Sequence, residues 1–317
     1  MVAQKGYVST KVIGLLVSVF VVVKIECLSL QRRQALKQMG FVSGITAIPW
    51  NVFAEDEKRT STLSSRLDTS ILTIPPPSRN SELNGVDNLY FPSWMEGEWD
   101  LTQTLVGTQT PLGLKFIGGP SGSEEIALKS MKEQEAQLNK PVSLRVRFLN
   151  TKWGVAEDRL FNMEQRLNQF AGGNKKIVST VEYANVGGSN RMSVMAMGGS
   201  QSDPLTTTVV YFRGPAAQKT FMTSHGSQFI GEPTQSNTWY GFELDRSIFA
   251  LTNTNPVPPV TTDQEILWEL QRVSPNQVKG RLRLAGYLNA QSDNLFFEAK
   301  NRAVSIADYT LELKRSN

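Results

Sequence analysis

Cysteine and histidine are almost missing from this sequence: Cys27 and His225 are each the only residue of their kind among 317. One cysteine closes no internal disulfide, and one thiolate with one imidazole cannot complete the four-ligand shell of a structural zinc. A nucleophilic triad has His225 alone to draw on. Its neighbour Ser224 sits on the same expected strand, where adjacent side chains point to opposite faces. No catalytic residue, metal or cofactor is therefore assigned, and the chain reads as a non-enzyme. An enzyme would need a polar cluster inside the fold that the sequence does not reveal. Asn-x-Ser/Thr acceptors are absent. Excess basic charge is nearly absent too. The net +4 arises before Glu55, where six lysines and arginines face one acid, leaving 27 basic and 28 acidic residues in the rest. That balance argues against a nucleic-acid partner and makes the basicity an address.

Apolar runs long enough to cross a bilayer comfortably are also missing. Val12 to Val23 lies behind Lys5 and Lys11 and ahead of Lys24, the proportions of a signal-peptide core, with small residues Cys27 and Ser29 following. Residues 1–27 are read as a signal peptide. Residues 28–54 hold a short transit segment and then Arg32-Arg33, Leu36-Lys37, a milder apolar stretch from Met39 to Trp50, and Ala54. This order resembles a twin-arginine export signal. Two signals in series point to the thylakoid lumen of a secondary plastid reached through the endoplasmic reticulum. A single signal peptide followed by an incidental basic segment, giving a secreted or tethered protein, is the alternative. The mature chain is expected to contain no transmembrane segment.

Residues 55–88 form an expected extended arm, stiffened by Pro75-Pro76-Pro77, and 89–317 a β domain. That domain is organised around Tyr90 to Asp100. Pro92 fixes φ, Gly97 permits a backbone turn and Trp99 points inward to plug one end of a barrel. Alternation of Leu144, Val146 and Phe148 with Arg145 and Arg147 marks a strand. Further strands are expected near 176–184, 191–197, 206–213, 220–230, 237–245, 248–252, 265–273, 278–288 and 304–314. Helices are expected over Glu124 to Leu138, capped from Ser121, and over Ala156 to Phe170. The fold class is mainly β: one antiparallel barrel of about 8–10 strands with two accessory helices, or else a two-sheet sandwich.

Four stretches, YFPSWMEGEW (90–99), PVSLRVRF (141–148), AEDRLFN (156–162) and YTLELKR (309–315), together resemble an uncharacterised family of cyanobacteria and chloroplasts. That resemblance implies a lumen address and brings no activity. Gly97-x-Trp99 also resembles the start of lipocalin and fatty-acid-binding barrels. There a basic residue of the last strand packs over the tryptophan, a role open to Lys314 or Arg315. The candidate ligand-binding residues are Trp99, Arg147, Arg159, Trp239 and Trp268. The arginines at 145, 147, 281 and 283 are either the wet outside or an inward head-group site. Trp239 and Trp268 are either core or cavity lining. Asp158 and Arg159 are either a helix-surface pair or a barrel-end cap, and their place in the stretch that carries the family resemblance favours the cap. The expected function is binding of a small amphipathic or apolar molecule such as a lipid, pigment or tetrapyrrole. A filled barrel acting as an assembly partner of photosynthetic membrane complexes is the alternative.

Overall fold

Every strand pairing is antiparallel, as short turns between alternating segments dictate. The computed structural model describes residues 63–76, 88–119, 122–173, 176–184, 206–231, 236–252 and 259–316. The proposed targeting segments, 1–27 and 28–54, and the strand expected near 191–197 lie outside the described residues. Among the described residues eleven strands are present: β1 (Tyr90–Phe91), β2 (Gly97–Gln109), β3 (Pro141–Thr151), β4 (Gly154–Glu157), β5 (Val178–Tyr183), β6 (Thr207–Phe212), β7 (Ala216–Phe229), β8 (Thr238–Leu251), β9 (Val260–Ser274), β10 (Gln277–Tyr287) and β11 (Ser305–Arg315). Four helices accompany them: α1 (Leu63–Arg66), α2 (Glu124–Glu135), α3 (Arg159–Phe170) and α4 (Phe296–Ala299).

The strands form one sheet in the order β1-β4-β3-β2-β11-β10-β9-β8-β7-β6-β5. It curls into a half-barrel, and β1 and β5 stand at its hydrogen-bonded edges. The expected closed ring of 8–10 strands is thus an eleven-strand curled sheet among the described residues. Helix α3 packs on both β3 and β5, so a helix spans where a ladder would close a barrel. Curling brings Phe91 of β1 to 4.9 Å from the Trp239 ring of β8 and 5.9 Å from that of Trp268 on β9.

Three boundaries differ from expectation for local reasons. The second expected helix starts at Arg159, because Ala156 and Glu157 pair with Leu149 and Phe148 as strand β4. Asp158 then caps the helix by accepting the Phe161 amide hydrogen at 3.2 Å. The expected strands 237–245 and 248–252 are one strand, β8, since the polar stretch Asp245-Arg246-Ser247 stays in register with β9. Helix α2 is capped by Ser123, whose Oγ accepts from the Ile126 amide at 3.4 Å.

The inner face is sealed at one end. Trp99 and Val146, paired across β2 and β3, are buried, the tier of Leu144, Leu101, Leu313 and Val278 is buried, and Leu311, Leu270 and Trp239 of the next tier are buried as well. Trp99 donates from Nε1 to the Met95 carbonyl at 2.8 Å. Arg315, not Lys314, lies 4.4 Å over its ring. Gly97 is required there: φ is +110°, and a Cβ would stand 2.7 Å from Arg315 Nη1.

The outer face of β8 to β10 is also covered. Residues 63–76 lie across it as a strap, burying Leu67 and Leu72 against Tyr240, Leu244, Leu267 and Ala285. Arg66 Nη2 reaches Glu265 Oε2 at 2.7 Å, and the Tyr287 hydroxyl donates to the same oxygen at 2.6 Å. Thr73 bridges to Arg302, and Ser224 Oγ donates to the Pro76 carbonyl at 2.8 Å.

Candidate functional site

Away from the Trp99 end, the burial of the inner face changes. Val142 lies beside buried Gln103 in the tier of Leu311, Tyr309 and Leu282 form the next tier together with buried Leu105 and Trp268, and Ala307, Leu284, Ile266 and His225 the tier beyond. Those seven inward-facing side chains are only partly buried, although the same strands are sealed two tiers below. The concave side is therefore a cup with a filled base and an accessible upper wall. Among the described residues its wall is apolar on β9, β10 and β11 and polar on β7 and β8.

The polar wall comes from alternation on β8. Trp239, Gly241, Glu243 and Asp245 occupy every second position and share the inner face. Gly241 leaves the space that the Trp239 ring fills: a Cβ there would meet ring carbons at 2.2 and 2.6 Å. The indole therefore leans along the strand toward Glu243. Across the ladder, His225 pairs with Glu243 and Met222 with Asp245. Ser224 faces the strap, so it does not join His225.

The start of α3 supplies the cation. Arg159 donates to both Glu243 oxygens, Nη2 to Oε2 at 2.8 Å and Nη1 to Oε1 at 3.3 Å, and from Nη2 to Asn88 Oδ1 at 3.1 Å. Burial opposes its charge, but Glu243, Asp245 and Glu157 outweigh that and raise its pKa. Burial likewise acts to raise Glu157, yet Arg166, Arg159 and the Asn162 hydrogen bond hold it below the ordinary carboxylate range. Asp245 goes the other way. Burial, then the charge of Glu243, push its carboxyl well above the usual aspartate value. Tyr309 is pushed up to about 12 by burial alone.

Two donors here are unmatched. Arg159 Nε and Trp239 Nε1 are buried with no hydrogen-bond partner among the described residues. The Asp245 carboxyl is acted on by neighbouring charges and by burial, with no hydrogen bond contributing. An unmatched buried donor costs on the order of 1–3 kcal/mol, so such groups mark a site rather than a finished core.

Of the sequence candidates, Trp99, Trp239 and Trp268 meet in one core cluster, with Trp99 in the base and Trp268 on the cup floor. Arg159 stands in the polar wall. Arg147 does not join them. Its guanidinium is outside the curl, bound to Asp158 Oδ2 at 2.6 Å and to Glu98 at 3.5 Å, with the Phe161 ring 4.5 Å away. Arg145, Arg281 and Arg283 are outward too, although the strap buries Arg283 against Asp308. Glu243, Asp245 and Tyr309 were not singled out by sequence. The period-two spacing of Trp239, Gly241, Glu243 and Asp245 was the available signal.

Residues 84–317 match a family described as a domain of unknown function, DUF6816. The chain belongs to that family. No curated protein and no solved structure matches it. The DUF6816 match includes all eleven strands and the polar wall, and it begins after the strap. Among the described residues, no DUF6816 helix or other helix is long and apolar enough to cross a membrane, and no group of three or more His, Cys, Asp or Glu is placed to hold a metal ion.

Proposed function

We propose that the chain is a binding protein for a small amphipathic or apolar molecule, a lipid, pigment or tetrapyrrole, held in the cup of the curled sheet. The observation that carries this is the burial step on one face. Val142, Leu282, Leu284, Ile266 and Tyr309 are partly exposed where they face inward, beside a buried polar wall. Apolar concavities with a few placed polar groups are the ordinary form of small-molecule sites. The reading is of binding rather than catalysis, because Ser224, the hydroxyl next to His225 in the chain, faces the strap and donates to the Pro76 carbonyl. A lumen address and a chloroplast or cyanobacterial origin belong to the same proposal and rest on the presequence and the quoted motifs. So does a closed, lipocalin-like barrel, with α3 completing its wall, supported by Arg315 over Trp99.

The test is titration with N-phenyl-1-naphthylamine, a neutral probe that brightens in apolar surroundings. Saturation at one probe per chain, lost in Leu282→Trp, is expected. Non-saturating fluorescence, or full binding in that variant, counts against the cup.

A second reading, an interaction or assembly protein of photosynthetic complexes, draws on the β3–β4 hairpin. Leu149 and Trp153 are exposed there, with the Lys152 ammonium 4.0 Å over the Trp153 ring. Replacing Trp153 by Ser would weaken such a contact and leave the probe titration unchanged.

A further inference from the structure

The connection between β10 and β11 lies at the end of the sheet where the inner face is only partly buried, since β10 leaves the sealed tiers at Val278 and ends at Tyr287. It carries α4, and Phe297 of that helix is 82% exposed, the most exposed large apolar side chain among the described residues. Its neighbours hold it there. The half-buried Phe296 ring packs on the cluster of Phe116, Leu288 and Val304, with the Phe297 ring 5.3 Å away. Ala299 is buried, and Lys115 pairs with Glu298.

The following residues bring a second apolar tip and two cations to the same place. The Arg302 amide and its Nε donate to the Ala299 carbonyl at 3.1 and 3.3 Å, which folds the chain back onto the end of α4. The Ala303 amide donates to the Leu72 carbonyl at 2.8 Å and the Ile74 amide to that of Asn301 at 2.9 Å, so residues 71–74 run antiparallel beside 301–303. Leu72 and Ala303 are buried on one side of this pairing. Ile71, 73% exposed, and Thr73 share the other side with Arg302, which Thr73 opposes. Lys300 and Arg302 are exposed and form no ion pair among the described residues, whereas Glu298 is already held by Lys115.

A protein partner would call for a broad apolar area. Here the two apolar tips stand apart, with polar Thr73 and Asn301 exposed beside them. An apolar tip with lysine or arginine at its base suits a bilayer surface, where the side chain reaches the acyl boundary and the charges meet anionic headgroups. We infer that this end of the protein docks on a membrane surface bearing anionic headgroups, with Phe297 and Ile71 inserted and Lys300 and Arg302 among the headgroups. The docking stands whether or not the cup holds a ligand.

Acrylodan, a thiol-reactive dye whose emission moves to shorter wavelength in apolar surroundings, tests this on the full chain in a Cys27→Ser background. The dye is attached through Phe297→Cys, or through Val273→Cys as a control, because Val273 is exposed at the opposite end of the sheet, where β9 turns into β10. Both positions are exposed, so each labelled chain should keep the parent's urea midpoint. With vesicles of phosphatidylglycerol and phosphatidylcholine in equal parts at low salt, a blue shift at position 297 and none at position 273 is expected. Lys300→Gln and Arg302→Gln should each raise the lipid concentration at half-shift about fivefold. Equal shifts at both positions, or no shift at 297, overturns the docking. An unchanged lipid requirement in both charge variants, or on phosphatidylcholine alone, overturns the anionic surface. A blue shift at 297 that needs no vesicles and grows with protein concentration gives this face to a second copy of the chain and overturns the membrane assignment.

Discussion

Replacing Arg66 by Met tests whether the strap is part of the folded unit. Arg66 binds Glu265 through Nε at 3.0 Å and Nη2 at 2.7 Å, and the Glu265 side chain is 0% exposed against 15% for Arg66. Methionine keeps an apolar stem and deletes the charge, leaving a buried carboxylate with the Tyr287 hydroxyl alone. Removing one partner of a buried ion pair costs about 3–5 kcal/mol. For a domain of this size that is a fall in Tm of roughly 6–20 °C. Urea unfolding followed by tryptophan fluorescence reads the change at constant m. The double variant Arg66→Met with Glu265→Gln should recover at least half the loss, because the glutamine leaves no buried charge and still accepts from Tyr287. A loss under about 1 kcal/mol in Arg66→Met would refute the reasoning and mean that the strap is not seated.

Three further outcomes follow from the inner face. The Asp245 carboxyl keeps its proton above the ordinary aspartate value of 3.8, so between that pH and its folded value the native state holds a proton the unfolded chain has released, and stability falls as pH rises. Asp245→Asn should therefore be the more stable protein at pH 7, by about 1.4 kcal/mol for every pH unit that separates the folded from the unfolded titration, and match the parent below pH 3.8; equal stability of the two at pH 7 would contradict the assignment. Gly241→Ala should displace the Trp239 ring, lower stability by about 1–3 kcal/mol and change the tryptophan emission, because ring carbons lie 2.2 Å from the new Cβ. In an absorbance titration of the folded chain, Tyr309→Phe should leave the phenolate signal near pH 10 intact and remove one transition near 12; loss of one tyrosine's signal near pH 10 would show a solvated hydroxyl.

Much of the sheet is legible because its inner face is apolar. Leu144, Val146 and Phe148 alternate with arginines that face water, and Gly97-x-Trp99 marks the sealed base. The candidate site is harder to read. Glu243 and Asp245 are carboxylates on a strand and so resemble the wet face; only the presence of Arg159, brought from α3 some eighty positions away in the chain, makes Glu243 tolerable inside. Arg147 and Arg159 look alike in sequence, yet the first belongs to β3's outer face and the second to a helix start aimed inward. The outer face misleads for the opposite reason. Arg283 reads as solvent-facing, but the strap hides it, and its Nη1 donates to the Thr69 carbonyl at 2.5 Å. Contacts made across such distances leave no periodic trace.

Native mass spectrometry of the chain purified from the cells that make it, followed by organic extraction, tests the binding cup most directly. A single small molecule at one copy per chain, amphipathic or apolar, is the predicted result. A mass equal to that of the polypeptide alone, with nothing recovered in the extract, would contradict it.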